Sequence, residues 1–192
     1  VSEGGVLSWV VWLLAGISTV AILAFALVLV YYYNRIRVLS NRIEEAWAQI
    51  DVQLKKRYDL VPNLVETVKG YAKHEKELFE RIAEARERMV RGGSREEQMK
   101  ASNELTSALR SLFAIAEAYP TLRASENFKL LQEQLEGIEN KIAYARQYYN
   151  SSVLEYNNTI TTIPGKWFAA GRVKHPFLEI PEAERRPVKV EF

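Results

Sequence analysis

"KKRYDLVPNLVETVKGYAKHE", residues 55–75, decides how many helices this chain makes. The residues on both sides of Pro62 favour helix, yet a proline in a helix interior costs roughly 3 kcal/mol or more. If Asp59 caps a new helix, Leu60, Val61 and Pro62 fall in its first turn, where a missing N–H costs little. The sequence therefore favours a break at Asp59. The alternative is a single long helix kinked at Pro62.

Apolar residues at helical spacing extend in both directions from this stretch. Upstream the stripe is Ile36, Leu39, Ile43, Trp47, Ile50, Leu54 and Tyr58. Downstream it runs Leu64, Val68, Tyr71, Leu78, Ile82, Ala85 and Met89. A third stripe joins Leu105, Leu109, Leu112, Ala116 and Tyr119. The fourth and longest is Phe128, Leu131, Leu135, Ile138, Ile142, Ala145, Tyr149, Val153, Tyr156 and Ile160. "RGGS" (91–94) ends one helix with glycines and offers Ser94 as a cap for the next. Pro120 and Ser125 mark the next boundary. Short connections of this kind join antiparallel neighbours, so 35–163 is expected to form an up-and-down four-helix bundle. The fourth helix, 125–163, would be about 58 Å long, more than its neighbours can cover, so part of it is expected to pair elsewhere.

Upstream of the bundle, "VLSWVVWLLAGISTVAILAFALVLVYYY" (6–33) carries no charge, and Glu3 is the one charged residue before Arg35. A bilayer core about 30 Å thick needs roughly 20 helical residues, so a span over about 9–33 is expected within an anchor segment 1–34. Trp9 and Trp12 mark one end, and Tyr31, Tyr32 and Tyr33 the other. From Trp12 to Tyr31 a helix rises about 28 Å, which sets a ring belt at each interface. A signal peptide has a shorter apolar region behind a basic start. Arg35, Arg37 and Arg42 follow the segment and no Lys or Arg precedes it. The bias of basic residues towards the inside puts the body in the cytoplasm and the start of the chain outside, across the cell membrane. Gly16, among small residues, is a position where a second anchor can approach closely.

Beyond the fourth helix, 164–192 holds four prolines and two glycines and is expected to be a largely non-helical tail. Trp167 and Phe168, with Lys166, Arg172 and Lys174 nearby, would arrive near the bilayer surface, to touch headgroups or to pack on the end of the bundle. "YN" occurs at 149–150 and 156–157, so Asn150 and Asn157 share one side of the fourth helix. Buried Asn at heptad spacing fixes register and oligomer state, whereas the plainer reading is two polar residues flanking a core.

The chemistry of an enzyme is not legible. There is no cysteine, and neither His74 nor His175 has a Glu three residues earlier, as a di-iron bundle needs. "RGGS" lacks the spacing of a phosphate loop. The net charge of +2 and the absence of a long basic run argue against a nucleic-acid partner. No catalytic residue, metal or cofactor is expected. The partners expected are the bilayer, further copies of the chain and, on an adaptor reading, another membrane protein.

"RIEEAWAQIDVQLKKRYDLVPNLVETVKGYAKHEKE" (42–77) resembles the signature of the LemA family. "YPTLRASENFKLLQEQLEGIENKIAYARQYYNSSVLEYNNTI" (119–160) and the tail from "PGKWFAA" to "RPVKVEF" resemble its remainder. The resemblance implies a prokaryotic, membrane-anchored helical bundle with no established enzymatic activity, some relatives being implicated in magnetosome membrane invagination. Some LemA-like proteins carry a lipid-attachment cysteine before the bundle; this chain has a full span there instead. The expectation is a self-associating membrane scaffold, with an adaptor as the alternative.

Overall fold

A computed structural model of the chain describes residues 3–179, with side chains from Ser8 onward; the end of the expected tail, 180–192, lies outside the described residues. The fold is all-α, and no strand occurs among the described residues. In order the helices are α1 (Glu3–Lys69), α2 (Lys76–Val90), α3 (Arg95–Ala116), the short α4 (Pro120–Ala124), α5 (Glu126–Thr161) and the single turn α6 (Gly165–Phe168).

The expected break at Asp59 does not occur. α1 runs through Pro62 and ends at Lys69. The bond forfeited there is from residue 62 N–H to the Tyr58 carbonyl four residues back. That carbonyl instead accepts from Arg86 Nε of α2 at 3.2 Å, and the Arg86 guanidinium lies 3.7 Å from the centre of the Tyr58 ring. The orphaned group is thus supplied from a neighbouring helix. Continuity also keeps a seven-residue seam on one face: Ile36, Ile43, Ile50, Arg57 and Leu64 are all fully buried. Burying Val61, Leu64 and Val68 is worth about 1.5–3 kcal/mol each, which outweighs the proline penalty. Tyr58, placed in the stripe from sequence, is only half-buried, and Arg57 occupies the seam in its place. The break comes later, at 70–75, where Ala72 enters the core and Tyr71, expected inside, is exposed.

The chain divides into two units, to both of which α1 and α5 contribute. One comprises Val1–Ile43 and Ser152–His175. In it Ile36, Leu39 and Ile43 of α1 and Val153, Tyr156 and Ile160 of α5 are buried. The other comprises Glu44–Ser151 and Pro176–Phe192. Its core joins Val61, Leu64 and Val68 of α1, Leu78 and Ile82 of α2, Leu105 and Leu112 of α3, and Phe128, Leu131 and Leu135 of α5. All ten apolar positions of the fourth stripe are buried within the chain itself. The surplus length expected to pair elsewhere is therefore used internally.

The remaining boundaries follow the sequence. Gly92 and Gly93 take positive φ of 75° and 134°, conformations that favour glycine, and end α2. Ser94 Oγ accepts from Glu97 N while the Glu97 carboxylate accepts from Ser94 N at 3.0 Å, a reciprocal capping box. Pro120 opens α4, and Ser125 Oγ accepts from Phe128 N in the first turn of α5. The half-buried Trp47 is covered by Arg95, whose guanidinium lies 5.2 Å from the ring.

Candidate membrane interface

The uncharged part of α1 forms a helix long and apolar enough to cross a membrane. Trp9, Trp12, Ile17, Leu23, Phe25 and Leu27 are all exposed. Two of its hydroxyls are turned back on their own helix: Ser18 Oγ donates to Leu14 O at 2.8 Å and Thr19 Oγ1 to Ala15 O at 2.9 Å. Such internal pairing is what a hydrocarbon environment demands of polar groups. A Cβ built at Gly16 meets open space, so nothing among the described residues approaches it.

At the other end of the segment Tyr31 and Tyr33 are exposed, while Tyr32 is partly covered. What covers it is Phe168 of α6, stacked at 5.6 Å and 16°, which also reaches Phe25 at 5.9 Å. The approach depends on Gly165, since a Cβ there would sit 2.0 Å from the Thr159 carbonyl oxygen and 3.4 Å from the Tyr32 ring. Of the two rings singled out in the tail, Phe168 therefore packs on the anchor and Trp167 remains exposed. Beyond the tyrosines, within about two and a half turns, Arg35 and Arg42 share the Glu155 carboxylate of α5, Arg42 at 2.8 Å. Arg37 is exposed.

Asn150 and Asn157 hold the tail. Asn157 Nδ2 donates to His175 O and its Oδ1 accepts from His175 N, both at 2.9 Å. Asn150 makes the same pair with Leu178, at 3.0 and 2.9 Å. Each side-chain amide thus pairs with a backbone residue as a neighbouring strand would. The spacings agree: seven helical residues rise about 10.5 Å and three extended residues about 10 Å. The Tyr156 ring lies edge-on to His175 at 4.9 Å.

Sequence reasoning missed a buried polar cluster in the second unit. Arg57 donates to Ser102 Oγ at 3.0 Å and to Thr106 Oγ1 at 2.6 Å, and pairs with Glu139 at 3.2 Å. Thr106 Oγ1 in turn lies 2.9 Å from Glu139 Oε1, as donor. Nearby, Arg146 reaches Asn103 Oδ1 at 3.2 Å. Burial lowers the Arg57 pKa; Glu139 opposes the shift and Arg146 adds to it. The ordinary value is so high that the guanidinium keeps its charge. A cavity of about 390 Å³ adjoins the cluster. The cation there already has its carboxylate and two hydroxyls, so the geometry is that of a structural pair. The signal that could have found it is the strict series 36, 43, 50, 57, 64, in which Arg57 stands among aliphatic residues. His74 is exposed and Glu75 half-buried just before α2. Among the described residues no three His, Asp or Glu side chains gather as a metal site.

A model of the LemA family matches residues 46–192. The chain is 25% identical over 185 residues to the magnetosome protein MamQ of Magnetospirillum gryphiswaldense, covering 83% of this chain and 68% of that protein. It is 26% identical over 179 residues to magnetosome proteins MamQ 2 and MamQ 1 of Paramagnetospirillum magneticum, covering 80% of this chain and 66% of each. The chain thus spans about two thirds of the length of these relatives. With the family's pattern extending over residues 46–192, well over half of the chain, the chain belongs to the LemA family.

Proposed function

We propose that this chain is a single-pass, membrane-anchored, non-catalytic scaffold that associates with copies of itself and organises or remodels the bilayer. The observation that carries the reading is the bare apolar surface of α1 from Trp9 to Val30, bounded by tryptophans at one end and tyrosines at the other. An apolar surface this continuous marks contact with lipid or with other proteins. The arginines after the tyrosines favour a cytoplasmic body in the inner membrane, with the start of the chain outside. Similarity to magnetosome proteins supports a role in organising membrane.

A second reading has its own observation. Val52, Tyr144 and Tyr148 line an open groove in the second unit, with Val52 and Tyr144 exposed. Such a surface suits another copy or a different membrane protein, and in the latter case the chain is an adaptor. Light scattering coupled to size exclusion, on the whole chain in mild detergent, separates the two. A large, discrete assembly is expected. A monomer or dimer would refute the scaffold and leave the adaptor.

A further inference from the structure

We propose that the turn joining α5 to α6, residues 163–168, enters the acyl region of the nearer leaflet as a second, shallow insertion beside the anchor. The inference deepens the scaffold reading and rests on α1 spanning the bilayer. All the residues concerned lie in the first unit.

Depth comes first. Phe25 and Tyr32 are seven residues apart, two helical turns or about 10.5 Å along α1. Phe168 lies nearly equally far from both rings, at 5.9 and 5.6 Å. If the tyrosines mark the interface, Phe168 sits roughly 5 Å on the hydrocarbon side of Tyr32, within a leaflet whose apolar half is about 15 Å deep. That is the depth at which amphipathic segments lie in a bilayer. The turn cannot be seated higher while this contact holds, and Gly165 lets it fold tightly enough to make it.

The outward surface of the turn suits that position. Ile163 and Trp167 are each 68% exposed, and both face away from the chain. Lys166 is the one charged side chain in the turn, and its stem is long enough to carry the ammonium back to the headgroups. Arg172 and Lys174 follow as further cations for a phosphate-bearing surface.

Several polar groups in the turn and just before it are satisfied locally, as lipid favours. Thr159, Thr161 and Thr162 each donate a hydroxyl to the carbonyl four residues back, at 2.7–2.8 Å. Lys166 N donates to Thr162 O at 2.8 Å and Trp167 N to Pro164 O at 3.0 Å. Pro164 has no N–H to satisfy. The occupant of the exposed rim is therefore the phospholipid leaflet itself, continuous with the apolar face of α1 that Phe168 already touches. An insertion confined to one leaflet expands that leaflet alone and bends the membrane, which gives the scaffold a means of remodelling it.

The chain contains no cysteine, so single labels are simple to place. Ile163→Cys and, as the anchor control, Leu23→Cys are each labelled with an environment-sensitive fluorophore in the whole chain. Both positions are exposed, so neither substitution disturbs packing. The proteins are placed in phosphatidylcholine–phosphatidylglycerol vesicles, and quenching is measured with nitroxides at shallow and deep acyl positions and with aqueous iodide. The expected result is a label at 163 quenched several-fold more by the shallow nitroxide than by iodide, and one at 23 quenched by the deep nitroxide. Iodide reaching 163 while 23 stays deep would overturn the insertion and leave the span standing. Iodide reaching both would overturn the span and the insertion with it. A label at 163 shielded from iodide and from both nitroxides would show a protein neighbour there, and would also overturn the proposal.

Discussion

Removing Glu139 should destabilise the fold far more than removing the arginine it neutralises. The Arg57 side chain is 2% exposed and that of Glu139 27%, so the carboxylate touches water and the guanidinium does not. In Glu139→Ala, Arg57 keeps its bonds to Ser102 and Thr106 but remains a buried cation with no counter-charge, and arginine cannot escape by losing its proton. Breaking one side of a buried pair costs about 3–5 kcal/mol, and the partial exposure of Glu139 puts this site near the lower figure. In Arg57→Met the cation is gone, and Thr106 still has Glu139 and Ser102 O within reach. Glu139 can turn to water, and the new side chain joins Ile50 and Leu64 on the seam. Replacement of a buried ion by an apolar side chain is commonly neutral or stabilising, so a change within about 1 kcal/mol is expected. For a chain of this size each kcal/mol shifts the midpoint by about 2–4 °C. Thermal unfolding followed by circular dichroism in detergent should therefore show Glu139→Ala lower by about 6–12 °C and Arg57→Met within about 4 °C of the parent. The double variant should match Arg57→Met, a coupling of at least about 2 kcal/mol. If Arg57→Met costs as much as Glu139→Ala, the desolvation argument is wrong and the cluster stabilises through the arginine's own contacts.

Two further outcomes follow from the structure. Arg86→Leu should cost about 2 kcal/mol, for one charge-assisted hydrogen bond and a contact over the Tyr58 ring. In a Pro62→Ala background the restored N–H takes the Tyr58 carbonyl, so the same change should cost about half as much; equal costs in both backgrounds would disprove the substitution of one donor for the other. Asn157→Ala and Asn150→Ala each remove two hydrogen bonds to the tail, about 2 kcal/mol. Hydrogen exchange at His175 and Leu178 respectively should rise by roughly 30-fold, at about 1.4 kcal/mol per tenfold, and unchanged exchange would mean the tail is held by something else.

Residue spacing made most of the helical register readable. The ten positions of the long stripe, the Ser94 cap, the paired glycines and Pro120 all act through neighbours within one helical turn, so local sequence suffices. Arg57 was hidden because its charge argues for the surface unless a partner is known, and its partners are 45 to 82 residues away. Tyr71 and Ala72 exchange places because the chain leaves the helix there, and periodicity has no means of marking the position where it stops. The tail's rings were noticed for their composition, but their fates separate: Phe168 on Tyr32, Trp167 exposed.

By itself the sequence determined the all-α class, an uncharged helix long enough to cross a bilayer and the family of its helical body. These rest on properties that add along the chain: hydropathy, period and the absence of charge. Only the tertiary structure decided that α1 continues through Pro62, because the Tyr58 carbonyl is answered from α2 by Arg86. It also decided that Asn150 and Asn157 bind the tail and that Arg57 is buried against Glu139. Each of these turns on what stands opposite a polar group, and that is set by segments distant in sequence meeting in space.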